Sequence, residues 1–305
     1  MNTSVAPGTA LRYCGRDFTP EELELVRSIC TAPEFPHRSA ISREVCRRLD
    51  WRKPDGGLKQ GSCRVVLLRM EADGLITLPP ARRRPPSRPP THTPAGEPQP
   101  PLYGSRGALG AIELRQVGGT PESALWNELV DRYHYVGYKR LPGAQIRYIA
   151  YAGPRILATL GFSASAWRLY DRDEYIGWDD EQRQANLHLV VNLSRFLILP
   201  WVHIKFLASS LLAQATRQLP HDWSLRYNYT PLLLESFVEC DRFAATCFRA
   251  ANWTFVGETM GRGKLDRRNS GPTTTFKSIW FYPLHRRFRQ RLRTPPARPA
   301  PGGWR

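Results

Sequence analysis

Apolar positions are densest and most regular between Asn186 and Gly263. Leu187–Pro200 reads as a strand, Val202–Gln218 as a long helix and Pro220–Asn228 as a polar turn. Leu232–Glu239 then reads as a second strand, Phe243–Ala251 as a short helix and Trp253–Gly263 as a glycine-rich hairpin. Ile204, Leu207, Ala208, Leu211, Leu212 and Ala215 recur at steps of three and four, which gives the long helix one buried stripe. Leu232, Leu233, Leu234, Phe237 and Val238 run too continuously for a strand with one wet face, so a central strand is predicted. Strands on either side of a crossover helix can pair in parallel, and the pattern predicts an α/β layer.

Upstream, Ile112–Val117 is a predicted strand, and Thr120-Pro121-Glu122 opens a helix that runs to Tyr135 with Ala124, Leu125, Leu129 and Val130 inward. Gln145–Tyr151 and Ile156–Ser163 form a predicted hairpin about Ala152-Gly153-Pro154. Asp179–Ala185 reads as a short surface helix and Thr273–Phe281 as a last strand. These elements delimit a domain over residues 107–285.

A separate block spans residues 18–79. Thr19-Pro20-Glu21-Glu22 is a helix start, with a capping side chain, an early proline and acids at the positive end of the dipole. A second helix starts at Ser39 or Ser42. A third, Gln60–Asp73, turns Cys63, Val66, Leu67 and Met70 inward and ends at Gly74, ahead of a short strand Leu75–Leu78. Three short helices followed by a strand resemble a winged helix-turn-helix. That resemblance implies a third helix in the major groove, with Lys59, Arg64 and Arg69 beside it. The alternative is a helical module that packs only on the other domain. Residues 1–17 read as a flexible N-terminus, 80–106 as a Pro/Arg-rich linker and 286–305 as a disordered basic tail.

The charge balance adds a partner. The chain carries 44 Lys+Arg against 27 Asp+Glu, a net charge of +17. Such a field attracts polyanions, and double-stranded DNA is the expected partner. Part of the excess lies in Arg82, Arg83 and Arg84 of the linker and in the tail, where a solvated tether is the alternative. The six cysteines show no CxxC spacing, so no metal set is assigned and reduced thiols are expected. No apolar run approaches 18 residues and no signal sequence is evident, which predicts a cytoplasmic protein without membrane contact.

Two constellations could carry chemistry. Gly257-x-Thr259-x-Gly261-Arg262-Gly263-Lys264, with Arg267 and Arg268, places cations around a glycine-freed backbone and suits a DNA phosphate. Its spacing is not that of a nucleotide P-loop, and a charged flexible hairpin is the alternative. Glu235, Glu239 and Asp241 are the candidate catalytic acids. Glu235 sits in an apolar run, where burial would raise its pKa and suit a general base, or where it would pair with a buried arginine such as Arg195. Glu239 and Asp241 follow at the strand end, where open α/β sheets place ligands, and with Glu235 they could hold Mg²⁺ for phosphodiester chemistry. His134, His188, His203 and His221 show no metal spacing. His203 and Lys205, at the predicted helix start, could face a phosphate.

The element order of the second domain resembles the GNAT acyltransferase fold. That likeness implies a fourth strand and following helix splayed from the fifth, with acyl-CoA as a possible cofactor. The departure is the helix start Pro200–Lys205, which has no glycine to let the backbone approach a diphosphate. Asn192-Leu-Ser-Arg195-Phe-Leu-Ile-Leu-Pro200, Leu234-Glu-Ser-Phe-Val-Glu239 and Thr246–Trp253 followed by Gly257–Gly263 resemble the signature blocks of the DruA family of Druantia anti-phage systems. The resemblance implies phage defence beside other subunits and brings no catalytic residues with it. The expected protein has a winged helix-turn-helix and a GNAT-like mixed α/β domain, and serves as a DNA-binding defence component. The alternatives are an acyl-CoA-dependent acyltransferase and a metal-dependent nuclease or transposition factor.

Overall fold

The computed structural model describes residues 11–14, 16–53, 56–81, 89–259 and 275–294. The chain divides into two compact units, 1–87 and 88–305.

The first unit opens with an antiparallel hairpin, β1 (Leu11–Tyr13) and β2 (Arg16–Phe18). Part of the expected flexible N-terminus is therefore ordered. Phe18 is buried edge-on against Trp51, and the Tyr13 hydroxyl donates to Asp73 at 2.6 Å. Three helices follow: α1 (Pro20–Thr31), α2 (Arg38–Arg48) and α3 (Gln60–Ala72). Thr19 and Glu22 form the capping box that the sequence predicts. His37 rather than a serine caps α2, its Nδ1 accepting the Ala40 N–H. Val26, Ile41, Val45, Cys46, Cys63, Val66, Leu67 and Met70 fill the core.

The strand expected at Leu75–Leu78 does not form. Ile76 and Leu78 are buried in alternation, as an extended chain requires, but side chains take the backbone groups that a partner strand would use. Arg27 Nε donates to Leu75 O, Arg38 Nε donates to Pro79 O, and Leu78 N–H donates to Glu71 Oε1.

The second unit contains, in order, β3 (Leu102–Ser105), β4 (Glu113–Gln116), α4 (Glu122–Tyr133), β5 (Gln145–Ala152), β6 (Arg155–Ala164), α5 (Tyr170–Ile176) and α6 (Asp180–Asn186). It continues through β7 (Val190–Ile198), β8 (Val202–Lys205), α7 (Leu207–Tyr227), β9 (Leu233–Glu239), α8 (Thr246–Ala250), β10 (Thr254–Glu258), β11 (Lys277–Pro283) and α9 (Phe288–Leu292). Seven strands form one sheet in the order β10-β11-β9-β7-β6-β5-β4, and only β7 and β9 pair in parallel. α7 covers one face and α4 lies on the other, since the neighbouring β5 residues Tyr148 and Arg147 reach Asp222 of α7 and Asn127 of α4, respectively. Leu211, Leu219 and Trp223 of α7 and Trp126 and Leu129 of α4 fill the core on the two sides. Further along the α4 face, Leu233, Ile279 and Phe281 pack against Ile176, Trp178, Phe288 and Leu292. The fourth and fifth strands of this sheet, β7 and β9, pair for four residues and part after Leu193↔Ser236, the splay that the GNAT resemblance implies.

Three boundaries differ from the sequence pattern. Val202–Lys205 is a strand, not the start of the long helix, because β3 lies parallel beside it and satisfies its backbone. α7 begins only after Phe206, which adopts a left-handed φ of 62°. It also runs through Pro220 to Tyr227, where a turn was expected. Leu219 and Trp223 are buried on either side of the proline, and that packing outweighs its missing N–H. The expected disordered tail contributes α9, whose Phe288 and Leu292 are buried.

The proline-rich stretch is also partly built into the unit. Glu128, buried on α4, accepts the Thr93 N–H at 2.6 Å and the Thr93 hydroxyl at 2.8 Å, and pairs with Arg132 Nε at 3.0 Å. Gly96 lies so close that a Cβ there would sit 2.2 Å from Glu128 Oε1. Residues 93–96 are therefore clamped, and 102–105 form β3.

Gly161 on β6 makes room for Trp126, whose Nε1 donates to Leu160 O at 3.1 Å. A Cβ at 161 would stand 2.7 Å from the buried indole. Gly161→Ala is expected to cost about 1–3 kcal/mol by overpacking, read as a lowered urea midpoint at unchanged slope. Among the described residues no helix is long and apolar enough to cross a membrane.

Candidate functional site

Strand β9 carries the first two predicted acids. Glu235 is fully buried on the face covered by α5. Its Oε2 accepts from Arg172 Nη1 at 3.1 Å, and Arg172 is itself completely buried. The same guanidinium donates to Ala166 O and Trp167 O, and its Nε reaches Asp173 Oδ1 at 3.3 Å. Asp173 in turn accepts from Trp178 Nε1 and Arg183. This chain of charges ties α5 and α6 to the sheet. Burial pushes the Glu235 pKa up, against the pull of Arg172, Ser165 and the Ala166 N–H, and Oε1 has no hydrogen-bond partner of good geometry. Arg195 is not the partner. Asn192 is the β7 residue beside Glu235, whereas Arg195 lies past the last paired register, Leu193↔Ser236. Its Nη1 donates to Ser194 O instead.

Glu239 lies four residues further along β9, which puts it on the same face but about 13 Å away. Asp241 is exposed in the next turn. The three acids are not gathered around one point, and among the described residues no group of three potential ligands could hold a metal ion.

A different set does converge, where β7 and β9 part after Leu193↔Ser236. His134 and Tyr135 follow α4, Arg195 comes from β7, Glu239 from β9, and Arg242 and Phe243 from the turn after it. The rings of His134 and Tyr135 stack at 4.8 Å, Tyr135 meets Phe243 at 5.5 Å, and the Arg242 guanidinium lies 4.8 Å over Tyr135. Burial and the nearby Arg195 push His134 down to about 4, so it is neutral at physiological pH. Its Nδ1 accepts from Val136 N–H, which leaves Nε2 as the donor. Burial and then Glu239 push Tyr135 up, and burial lowers Arg195. Glu239 Oε2 and Arg195 Nε are buried without a hydrogen-bond partner. A neutral imidazole, a guanidinium and a carboxylate at one strand opening suit hydrogen bonding to a polar ligand. The rule that ligands gather at carboxyl ends of strands points to Glu239 and Arg242. The approach of α4's end, which brings His134 and Tyr135, has no signal in the pattern.

The predicted basic residues divide. Arg64 and Arg69 are exposed on α3 beside Val65 and Leu68, 43% and 47% exposed, and neither meets a carboxylate among the described residues. Lys59 stands just before α3, half-buried, and burial lowers its pKa. Arg82, Arg83, Arg84, Arg262, Lys264, Arg267 and Arg268 lie outside the described residues. His203 stacks on Tyr103 at 4.9 Å and, like Lys205, sits on β8 rather than at a helix start.

No curated protein matches the chain. Solved structures with a similar course over 57% of it include an N-acetyltransferase from Staphylococcus aureus Mu50, 11% identical, covered over 99% of its length at a TM-score of 0.35. Another is the ribosomal-protein-S18-alanine N-acetyltransferase from Escherichia coli, 9% identical, covered over 94% at a TM-score of 0.34. Likenesses this distant assign neither activity nor ligand. The sequence profile of the family described as Druantia protein DruA matches residues 97–293, which takes in the whole seven-stranded sheet and the parting of β7 from β9. The chain belongs to the DruA family.

Proposed function

We propose that the protein acts in a Druantia anti-phage system as a cytoplasmic DNA-binding component that positions partner subunits on duplex DNA. The observation that supports this reading is the outer face of α3. It is the last helix of a three-helix unit and presents Arg64 and Arg69, free of carboxylates, beside exposed Val65 and Leu68. A third helix with that face fits the recognition role in helix-turn-helix proteins. The net charge of +17 adds a sequence-independent attraction to phosphate.

The test is fluorescence anisotropy of labelled duplex DNA against the full chain across a salt series. Replacing both arginines, Arg64→Gln with Arg69→Gln, should reduce the slope of log K against log[salt] by about two and weaken binding roughly tenfold. An unchanged slope and affinity would remove α3 from the interface. Displacement of DNA by acetyl-CoA would favour an acyltransferase-like site in the β7/β9 opening instead.

A further inference from the structure

A second concave site lies where β5 begins. β5 and β7 run in the same direction, both antiparallel to β6. β7 parts from β9 after Leu193, and Arg195 and Arg147 flank Gly161 in register, one on each side of β6. This cavity opens on the β5 side, lined by the start of α4 and the end of α7. It has a volume of about 340 Å³ and is lined by Ser123, Asn127, Tyr138, Arg140, Arg147 and Arg226, among others, with no carboxylate.

Arg147 is its floor. Nη1 donates to Asn127 Oδ1 and Nη2 to Ser123 Oγ, both at 2.6 Å, and the guanidinium rests 5.3 Å from the Trp126 ring. Its Nε is buried with no hydrogen-bond partner. Burial first, and Arg226 as a like charge, press its pKa down. Among the described residues Arg226 reaches Gly118 O and Tyr227 Oη, both at 3.3 Å, with its guanidinium 5.7 Å from the Tyr227 ring, and Arg140 is exposed. The acids nearby are committed elsewhere. Glu122 holds Arg115 and the Tyr151 hydroxyl, Asp222 accepts from Tyr148 and Gln218, and Asp131 faces His92. Three guanidinium groups thus converge on a cavity whose own polar partners are all neutral, and crowded, unpaired cations favour an anion. Guanidinium forks and hydroxyls match tetrahedral phosphate oxygens, and a dianion answers several cations best. The volume exceeds what a bare phosphate needs, and Tyr138 and Tyr227 provide rings beside it.

We infer that this cavity binds a phosphate monoester, either a free nucleoside 5′-monophosphate or the 5′-phosphorylated end of a nucleic-acid strand. The site is independent of the α3 reading.

The experiment titrates the full chain with inorganic phosphate, AMP, adenosine and short oligonucleotides ending in 5′-phosphate or 5′-hydroxyl, followed by calorimetry and thermal shift. AMP or the 5′-phosphorylated strand should bind at least about tenfold more tightly than its phosphate-free counterpart. Arg140→Gln with Arg226→Gln should abolish that preference while leaving the melting temperature of the free protein within a few degrees. These two are chosen because Arg147 packs on the core. Preference for the 5′-phosphorylated strand over AMP identifies the strand end as the source, and the reverse identifies the free nucleotide. Equal binding of adenosine and AMP, no response to any phosphate at roughly 10 mM, or a phosphate preference surviving in the double variant would each overturn the assignment.

Discussion

Arg172→Met should destabilise the protein by about 3–5 kcal/mol, because it strands the Glu235 carboxylate in a fully buried position. Several groups lose a partner at once: Glu235 Oε2, the Ala166 and Trp167 carbonyls, and Asp173. The paired variant Arg172→Met with Glu235→Leu removes both charges and should regain most of the loss, since an apolar pair of similar volume carries no desolvation cost. Urea unfolding followed by tryptophan fluorescence, with Trp178 beside the pair, reads both. A single variant within about 1 kcal/mol of the parent would mean that water reaches Glu235 after all.

Removing Glu128 should have the next largest effect. Glu128→Ala leaves the Thr93 N–H and Arg132 without their buried acceptor and should cost about 2–4 kcal/mol. The 93–97 segment should also become open to limited proteolysis, since Arg132's remaining contacts are to Glu97 and Thr93 O. The two buried acids respond to pH with opposite signs. Burial pushes Glu128 up, but Thr93 and Arg132 outweigh it and hold its pKa below the usual carboxylate value. Its contribution is therefore present above the ordinary carboxylate pKa and is lost as pH falls through the lower folded value. Glu235 is raised, so its linked stability is greatest below its unfolded pKa and declines as pH rises through the folded one. Unfolding midpoints from about pH 7 to about pH 3 should show Glu128→Gln flattening the acid loss. Glu235→Gln should remove the opposing slope. Identical profiles for the two variants would contradict these assignments.

What the pattern of residues made legible follows from which interactions are local. The capping box at Thr19 and Glu22, the β5–β6 hairpin and the continuous apolar run of β9 all depend on neighbours in sequence, and all are present. The misread segments depend on partners far away. Val202–Lys205 is a strand because residues 102–105 come to lie beside it, and α7 passes Pro220 because Trp223 is buried beyond it. Glu235 was legible as a buried acid, but its arginine was not. Arg172 sits in a short helix with no strong periodicity, whereas Arg195 only looked close because it is near in the order of strands. The three arginines of the phosphate cavity are spread from residue 140 to residue 226, and nothing but the fold brings them together.

The single parallel pairing also governs how the sheet can be assembled. β4 to β7 form an antiparallel meander of consecutive strands, and β9, β11 and β10 form a second antiparallel set. The two sets meet along four residue pairs only, from Val190↔Leu233 to Leu193↔Ser236, across the long crossover through α7. Closing that crossover costs chain entropy before any of the four pairs forms, so each set can gather on its own while their union comes late. Amides along that short seam should then exchange with solvent through a sub-global opening, ahead of those in the middle of β5 and β6.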